Sequence, residues 1–157
     1  MSSRWRSLDR KFGDLVVSLA LADAPPTQTN EPIVAVVIPA YNEAEAIVDV
    51  LHELPDRLSG LRVMPIVVVD GGTDSTAMVA RAAGFTTLVH VVNRGQGDAI
   101  RTGFAHALAS NADIVMTMDA DGQHRPDQMG DLLAPILADE ADYVQGSRFL
   151  GEYDDAG

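Results

Sequence analysis

The sequence predicts an α/β domain: a mostly parallel sheet with helices on both faces. Three observations carry that prediction. Apolar, β-branched runs alternate with segments of helical periodicity, the signature of strands joined by right-handed helical crossovers. The runs are continuous rather than alternating, as expected of strands covered on both faces. Each run gives way to a short polar loop, and in an open parallel sheet such loops gather outside the carboxyl ends of the strands.

The elements follow in order. Residues 5–21 are expected to form an amphipathic helix, because Trp5, Leu8, Phe12, Leu15, Val16 and Leu19 recur at three- and four-residue spacing. Residues 22–32, with two adjacent prolines and then small polar residues, read as a linker. Ile33–Ile38 (IVAVVI) is the first buried strand, and Ile47, Val50, Leu51 and Leu54 give residues 44–58 a helical period. Val63–Val69 is the second strand. Residues 74–83 form a short helix, with Thr73 or Asp74 as N-cap and Gly84 as the stop. Thr86–Val92 is the third strand, and residues 97–109 a helix with Ile100, Phe104 and Leu108 on one face. Asp113–Met118 is the fourth strand. Residues 126–138 open a helix with Pro126 in its first turn, and Asp142–Ser147 is the fifth strand. The chain thus divides into an N-terminal helix (1–21), a linker (22–32) and a ligand-binding domain (33–157).

Composition narrows the class. At 157 residues the chain fits one domain with a real core. A formal net charge of −12 argues against nucleic acid as a partner. Basic residues cluster at the start: Arg4, Arg6, Arg10 and Lys11 face only Asp9. There is no cysteine, so disulfides, thiolate metal sites and a cysteine nucleophile are excluded. No apolar run approaches the roughly 20 residues that span a bilayer, and Leu15–Ala22 does not read as a signal peptide. A cytoplasmic location is expected, with the apolar stripe and basic flank of residues 1–21 offering peripheral contact with a membrane face. Packing of that helix on the domain, or disorder of the segment, is the competing expectation.

The chemistry is sought after the strands. Those segments are PAYNE (39–43), DGGTD (70–74), NRGQGD (93–98), DADGQH (119–124) and GSR (146–148). Asp119 and Asp121 sit two apart on extended chain, with side chains on one side. Two carboxylates so close repel, and a divalent cation removes the conflict. Oxygen ligands suit Mg²⁺ or Mn²⁺, which commonly bridge one or two carboxylates to phosphates. That points to a nucleotide-diphosphate ligand.

Alone, a D-x-D pair is a weak signal. An EF-hand does not fit, because Gly122 is misplaced and Gly130 holds the twelfth position. A dehalogenase-type phosphatase also runs an apolar strand into D-x-D-G. Its motif ends a first strand and is followed by Thr, whereas this one ends a fourth and is followed by Gln123. Gly71, Gly72, Gly95 and Gly97 serve turns or let a phosphate approach the backbone, with neither reading favoured. Among the histidines, His52 and His106 read as surface or packing residues and His90 as a strand residue. Only His124 adjoins the carboxylate pair.

Taken together, VVIPAYNEAEAI, VVVDGGTDST, NRGQGDAIRTGF, MDADGQHRPDQM and YVQGSRF resemble the inverting family-two glycosyltransferases of GT-A fold, in particular polyprenyl-phosphate sugar transferases such as dolichol-phosphate mannose synthases. The likeness covers residues 33–149. It implies a Rossmann-like domain that moves a sugar from a GDP- or UDP-sugar to a polyprenyl phosphate or glycan acceptor. It also implies roles. Pro39, Tyr41, Glu43, Val68, Asp70 and Ala120 would bind the nucleotide. Asp119, Asp121 and Gln123 would hold Mg²⁺ or Mn²⁺, and Arg148 would face a phosphate. The chain departs from the pattern in two ways. The family often has DDGS where this sequence has Val69-Asp70-Gly71-Gly72. The family also continues past Phe149 with an acceptor-side region and a further basic phosphate contact, so a truncated domain is expected. A non-catalytic nucleotide-sugar-binding fragment is the competing expectation, and a D-x-D phosphatase ranks below both.

Overall fold

The computed structural model describes residues 16–19, 31–122 and 128–146. The elements are β1 (Val16–Leu19), β2 (Ile33–Ala40), α1 (Ile47–His52), β3 (Arg57–Leu58), β4 (Leu61–Asp70), α2 (Thr76–Ala82), β5 (Thr86–His90), α3 (Gln96–Ala109), β6 (Ile114–Thr117), α4 (Met129–Leu137) and β7 (Tyr143–Gln145). They build one mixed sheet. β2 lies at its centre, parallel to β4 on one side and to β6 on the other, and β5 extends the parallel half beyond β4. β3 pairs antiparallel with the first residues of β4.

The alternation of side chains along β2 decides how the layers form. Val34, Val36 and Ile38 point into a core completed by α1, α2 and α4 through Ile47, Leu51, Ala80, Met129 and Leu133. Ala35 and Val37 point the other way, with Ile66, Val68 and Val115, against Ala99 and Ala107 of α3. Val34 to Ile38 are all fully buried, which explains the unbroken apolar run. Each valine or isoleucine among them contributes about 1.5–3 kcal/mol by leaving water. α3 lies very close to the sheet. A Cβ added at Gly103 would come within 2.2 Å of Val37 Cγ1. The buried stripe of α3 is therefore Ala99, Gly103 and Ala107. Ile100, Phe104 and Leu108, the face expected to pack, are only partly buried, because small residues permit the closer approach.

Several expectations change. Val16–Leu19, placed in the N-terminal helix of residues 5–21, is instead a strand, paired antiparallel with β6 and β7. The β6 edge offers unpaired backbone groups, and β-branched Val16 and Val17 suit an extended chain. Residues 5–15 and 20–21 lie outside the described residues, as does most of the linker. β7 was expected as a fifth strand of the parallel set. It runs in the same direction as β6, but β1 separates the two. The helix over 44–58 shortens to α1, and β3 occupies its end. Ser59 (φ +50°) and Gly60 (φ +87°) turn the chain between Leu58 and Leu61, a two-residue hairpin loop with both φ values positive. The helices expected over 74–83 and 97–109 are found as α2 and α3. Gly84 (φ +89°) closes α2, with the Phe85 N–H donating to the Ala80 carbonyl. Pro126 falls outside the described residues.

Candidate functional site

Pairing between β2 and β6 stops at Val37–Thr117, but β2 runs on to Ala40 beside β4. A cleft of about 320 Å³ lies at these carboxyl ends. It brings together Pro39, Tyr41 and Glu43 after β2, Asp70 at the end of β4, and Asp119, Ala120 and Asp121 after β6. Seven of the residues expected from the sequence therefore share one cavity. Val68 does not join them. It is fully buried under α3 with Ile66 and Val37, on the same face as Asp70 but two residues below the carboxyl end of β4. Gln123, His124 and Arg148 lie outside the described residues.

The loops around the cleft are bonded to one another. Asn42, at φ +56°, accepts the Thr73 N–H on its Oδ1 at 3.0 Å. The Glu43 N–H donates to Thr76 Oγ1 (2.9 Å) and the Ala44 N–H to Asp74 Oδ2 (3.0 Å). Asp74 Oδ1 in turn accepts from the Thr76 hydroxyl (2.6 Å) and N–H (2.9 Å). Those two bonds hold the Asp74 carboxyl below its ordinary range, against the upward push of desolvation, with help from the Ala44 N–H. Asp74 thus serves the start of α2, although the helix boundary falls at Ser75. These contacts account for glycine at position 72. Its φ is +103°, and a Cβ there would lie 2.6 Å from Asn42 Oδ1.

Asp70 organises the third loop. The period that buries Ile66 and Val68 on the α3 face puts Asp70 there too, level with His90 in the β4–β5 register. Asp70 Oδ1 accepts from His90 Nδ1 (2.5 Å) and the Arg94 N–H (3.0 Å). Oδ2 accepts from the Gly95 N–H (2.7 Å) and again from Arg94 (3.1 Å). Burial pushes this carboxyl up, but the His90 bond, the two backbone N–H groups and the attraction of His90 outweigh it, so its pKa is lowered. The chain comes so close here that a Cβ on Gly71 would lie 2.6 Å from the Asn93 nitrogen.

The β6 end differs. Asp119 is partly buried and Asp121 exposed, and Asp119 Oδ1 accepts from Gln96 Nε2 at 3.0 Å. Glu43 faces this group; desolvation, Asp121 and Asp74 all raise its pKa. Among the described residues the lining therefore carries Glu43, Asp70, Asp119 and Asp121 but no lysine, arginine or histidine. Such a wall favours a cation, or an anion that arrives with one. Among the described residues no group of three or more acidic, histidine or cysteine side chains is arranged to hold a metal ion alone. Two carboxylates fit an ion that takes its other ligands from phosphate and water.

Asn93 and Gln96 also line the cleft, and neither was singled out in the sequence. Both lie in NRGQGD, read there for its glycines. His90 was set aside as a strand histidine. Its even spacing from Leu88, which packs against the α3 layer, was the available signal that it faces Asp70.

Comparison with known proteins adds the following. Residues 35–156 match the profile of Glycosyl transferase family 2. The undecaprenyl-phosphate mannosyltransferase of Micrococcus luteus is 39% identical over 73% of this chain and 48% of its own. The UDP-N-acetylglucosamine–dolichyl-phosphate N-acetylglucosaminyltransferase of Methanococcus voltae is 32% identical over 75% of this chain and 53% of its own. Glucosyl-3-phosphoglycerate synthase of Mycobacterium tuberculosis, solved with Mn²⁺, UDP-glucose and phosphoglyceric acid, superimposes with a TM-score of 0.57 at 27% identity. That match covers 78% of this chain and 48% of the synthase. The chain spans about half the length of these relatives.

Proposed function

The chain belongs to glycosyl transferase family 2 and has its GT-A fold, and from that premise we propose that it takes part in moving a sugar from a nucleotide-diphosphate sugar to a polyprenyl phosphate, with inversion at the anomeric carbon. One observation carries the reading: the Asp119–Asp121 pair shares a single acidic cleft with Pro39, Tyr41, Glu43 and Asp70. A diphosphate brought beside Glu43, Asp70, Asp119 and Asp121 is repelled by them, and a cation offsets that charge. Asp119 and Asp121 would hold Mg²⁺ or Mn²⁺, whose chemistry is to stabilise the departing diphosphate. Tyr41, half exposed at the rim, offers a ring face to the nucleotide base, and the Asn93 amide offers a donor and an acceptor. A lipid-phosphate acceptor is named because the relatives from Micrococcus and Methanococcus use one. Such an acceptor is already ionised and needs no general base. No helix among the described residues is long and apolar enough to cross a membrane.

The test is a thermal-shift panel of UDP-, GDP- and dTDP-sugars with and without Mn²⁺, followed by an assay for nucleoside diphosphate released on addition of a polyprenyl phosphate. Mn²⁺-dependent stabilisation and acceptor-dependent release are expected. Stabilisation without release would reduce the reading to nucleotide-sugar binding. Phosphate freed from small esters without any acceptor would favour a phosphatase, and no stabilisation by any sugar nucleotide would overturn the reading.

A further inference from the structure

A buried polar chain runs behind the cleft and touches it only through Asp70. His90 and Asp70 are both at least nine-tenths buried. His90 Nδ1 meets Asp70 Oδ1 at 2.5 Å and its Nε2 meets Thr102 Oγ1 at 2.9 Å. The Thr102 hydroxyl lies 2.9 Å from the Asp98 carbonyl, one turn earlier in α3. An ionised carboxylate only accepts, so Nδ1 carries the proton shared with Asp70. The ring therefore ties β4 and β5 to the first turns of α3, and Asp70 passes the restraint to the Arg94 and Gly95 N–H groups. Those residues lie between Asn93 and Gln96, which line the cleft, and Gln96 donates to Asp119.

We propose that His90 and Thr102 are positioning residues for the nucleotide-sugar site: they fix the Asp70 carboxylate, which holds residues 93–96 so that Asn93 and Gln96 face the ligand and Gln96 reaches Asp119. The proposal rests on the functional reading above. Neither residue lines the cleft, so both act through Asp70, as outer partners of a binding group do. The geometry is specific to one ring nitrogen. An asparagine at position 90 carries its amide where Nδ1 stands and keeps the bond to Asp70. A glutamine reaches the Nε2 position and loses it.

The experiment measures Mn²⁺-dependent binding of UDP and GDP by calorimetry, and the amide exchange of Arg94 and Gly95 by NMR, for the full chain. His90→Leu should weaken nucleotide binding about tenfold, and Thr102→Val about threefold. His90→Asn should stay within about threefold of the parent, while His90→Gln behaves like the leucine variant. Protection of the Arg94 and Gly95 amides should fall in His90→Leu and return in His90→Asn. Equal binding and equal protection across these variants would overturn the proposal. Should His90→Leu not fold, the asparagine–glutamine contrast decides, and identical behaviour of the two overturns it. If the parent protein binds neither nucleotide, the functional reading fails separately. Amide protection then decides alone: unchanged in the leucine or glutamine variant, it sinks the positioning role.

Discussion

Asp70 and the Asp119–Asp121 pair close strands on opposite sides of β2 and line the same cleft, yet their surroundings are opposed. Asp70 is buried, with both oxygens accepting bonds from His90 and from backbone N–H groups. Asp119 is partly buried and bonded to Gln96, and Asp121 is exposed. A carboxylate saturated from within its own fold holds the fold in place. Carboxylates that line the cavity and reach solvent can serve what enters it. The resemblance assigned Asp70 to the nucleotide, and its geometry adds a second duty, the anchoring of residues 93–96.

Substitution separates the two stations, and the largest effect belongs to Asp70. Asp70→Ala strands the buried His90 ring and the partly buried Arg94 and Gly95 N–H groups. It should cost about 3–5 kcal/mol and lower the melting temperature by about 10 °C. Asp121→Ala should leave stability within about 0.5 kcal/mol and weaken Mn²⁺-dependent UDP or GDP binding at least tenfold, about 1.4 kcal/mol. Chemical denaturation and calorimetry on the two variants measure both quantities. Equal destabilisation by the two would erase the contrast.

Glycines sharpen it further. Gly71 and Gly95 both have positive φ, but only Gly71 has backbone within 3 Å of an added Cβ. Gly95→Ala should cost about 1–3 kcal/mol, the strain of holding a Cβ-bearing residue at φ +92° and ψ +154° alone. Gly71→Ala should cost more than Gly95→Ala, because the Asn93 segment must also shift. Urea midpoints of the two variants check the order. A Gly71→Ala protein as stable as Gly95→Ala would show that the loop yields easily, and with it that Asp70 holds it loosely.

The parallel half of the sheet was legible for the same reason that Asp70 is buried. β2, β6 and the second half of β4 are covered on both faces or nearly so, and continuous runs such as Val34–Ile38 announce that; β5, only partly buried, is announced by its β-branched residues. The antiparallel half was not. Four residues at Val16–Leu19 satisfy a helical period and an extended one equally well, and their partners in β6 and β7 are about a hundred residues away. β3 did carry a local signal, Ser59-Gly60 between two leucines, that the helical period around it obscured. In the site, residues that close strands were readable from position: Pro39, Tyr41, Glu43, Asp70, Asp119, Ala120 and Asp121 all reach the cleft. Val68 does not reach the cleft because, although it shares a face with Asp70, it lies two residues deeper in β4 and is covered by the α3 layer. Gln96 and His90 were missed because their roles depend on contacts with Asp119 and Asp70, 23 and 20 residues away, and Asn93 because only the fold brings its loop to the cleft.

The smallest predicted effects concern pH, and they have opposite signs at the two stations. Asp70 has a lowered pKa in the folded protein. Its contribution to stability is therefore complete above the unfolded value, near 3.8, and is lost as pH falls through the lower folded value. Glu43 is raised, chiefly by desolvation and then by Asp121 and Asp74. Its carboxyl fits best when protonated, so it penalises folding as pH rises from its unfolded value of 4.5 through the folded one. Asp70→Asn should then trail the parent by a constant margin at pH 6–8, and the margin should shrink below about pH 4. Glu43→Gln in chelator-treated buffer should lead the parent by roughly one degree at neutral pH and lose that lead near pH 4. Thermal melts of the three proteins between pH 3 and 8 measure both slopes. A lead for Glu43→Gln that persists in acid would mean that the acidic wall does not strain the empty cleft. The pressure toward a bound cation would then have to come from the ligand alone.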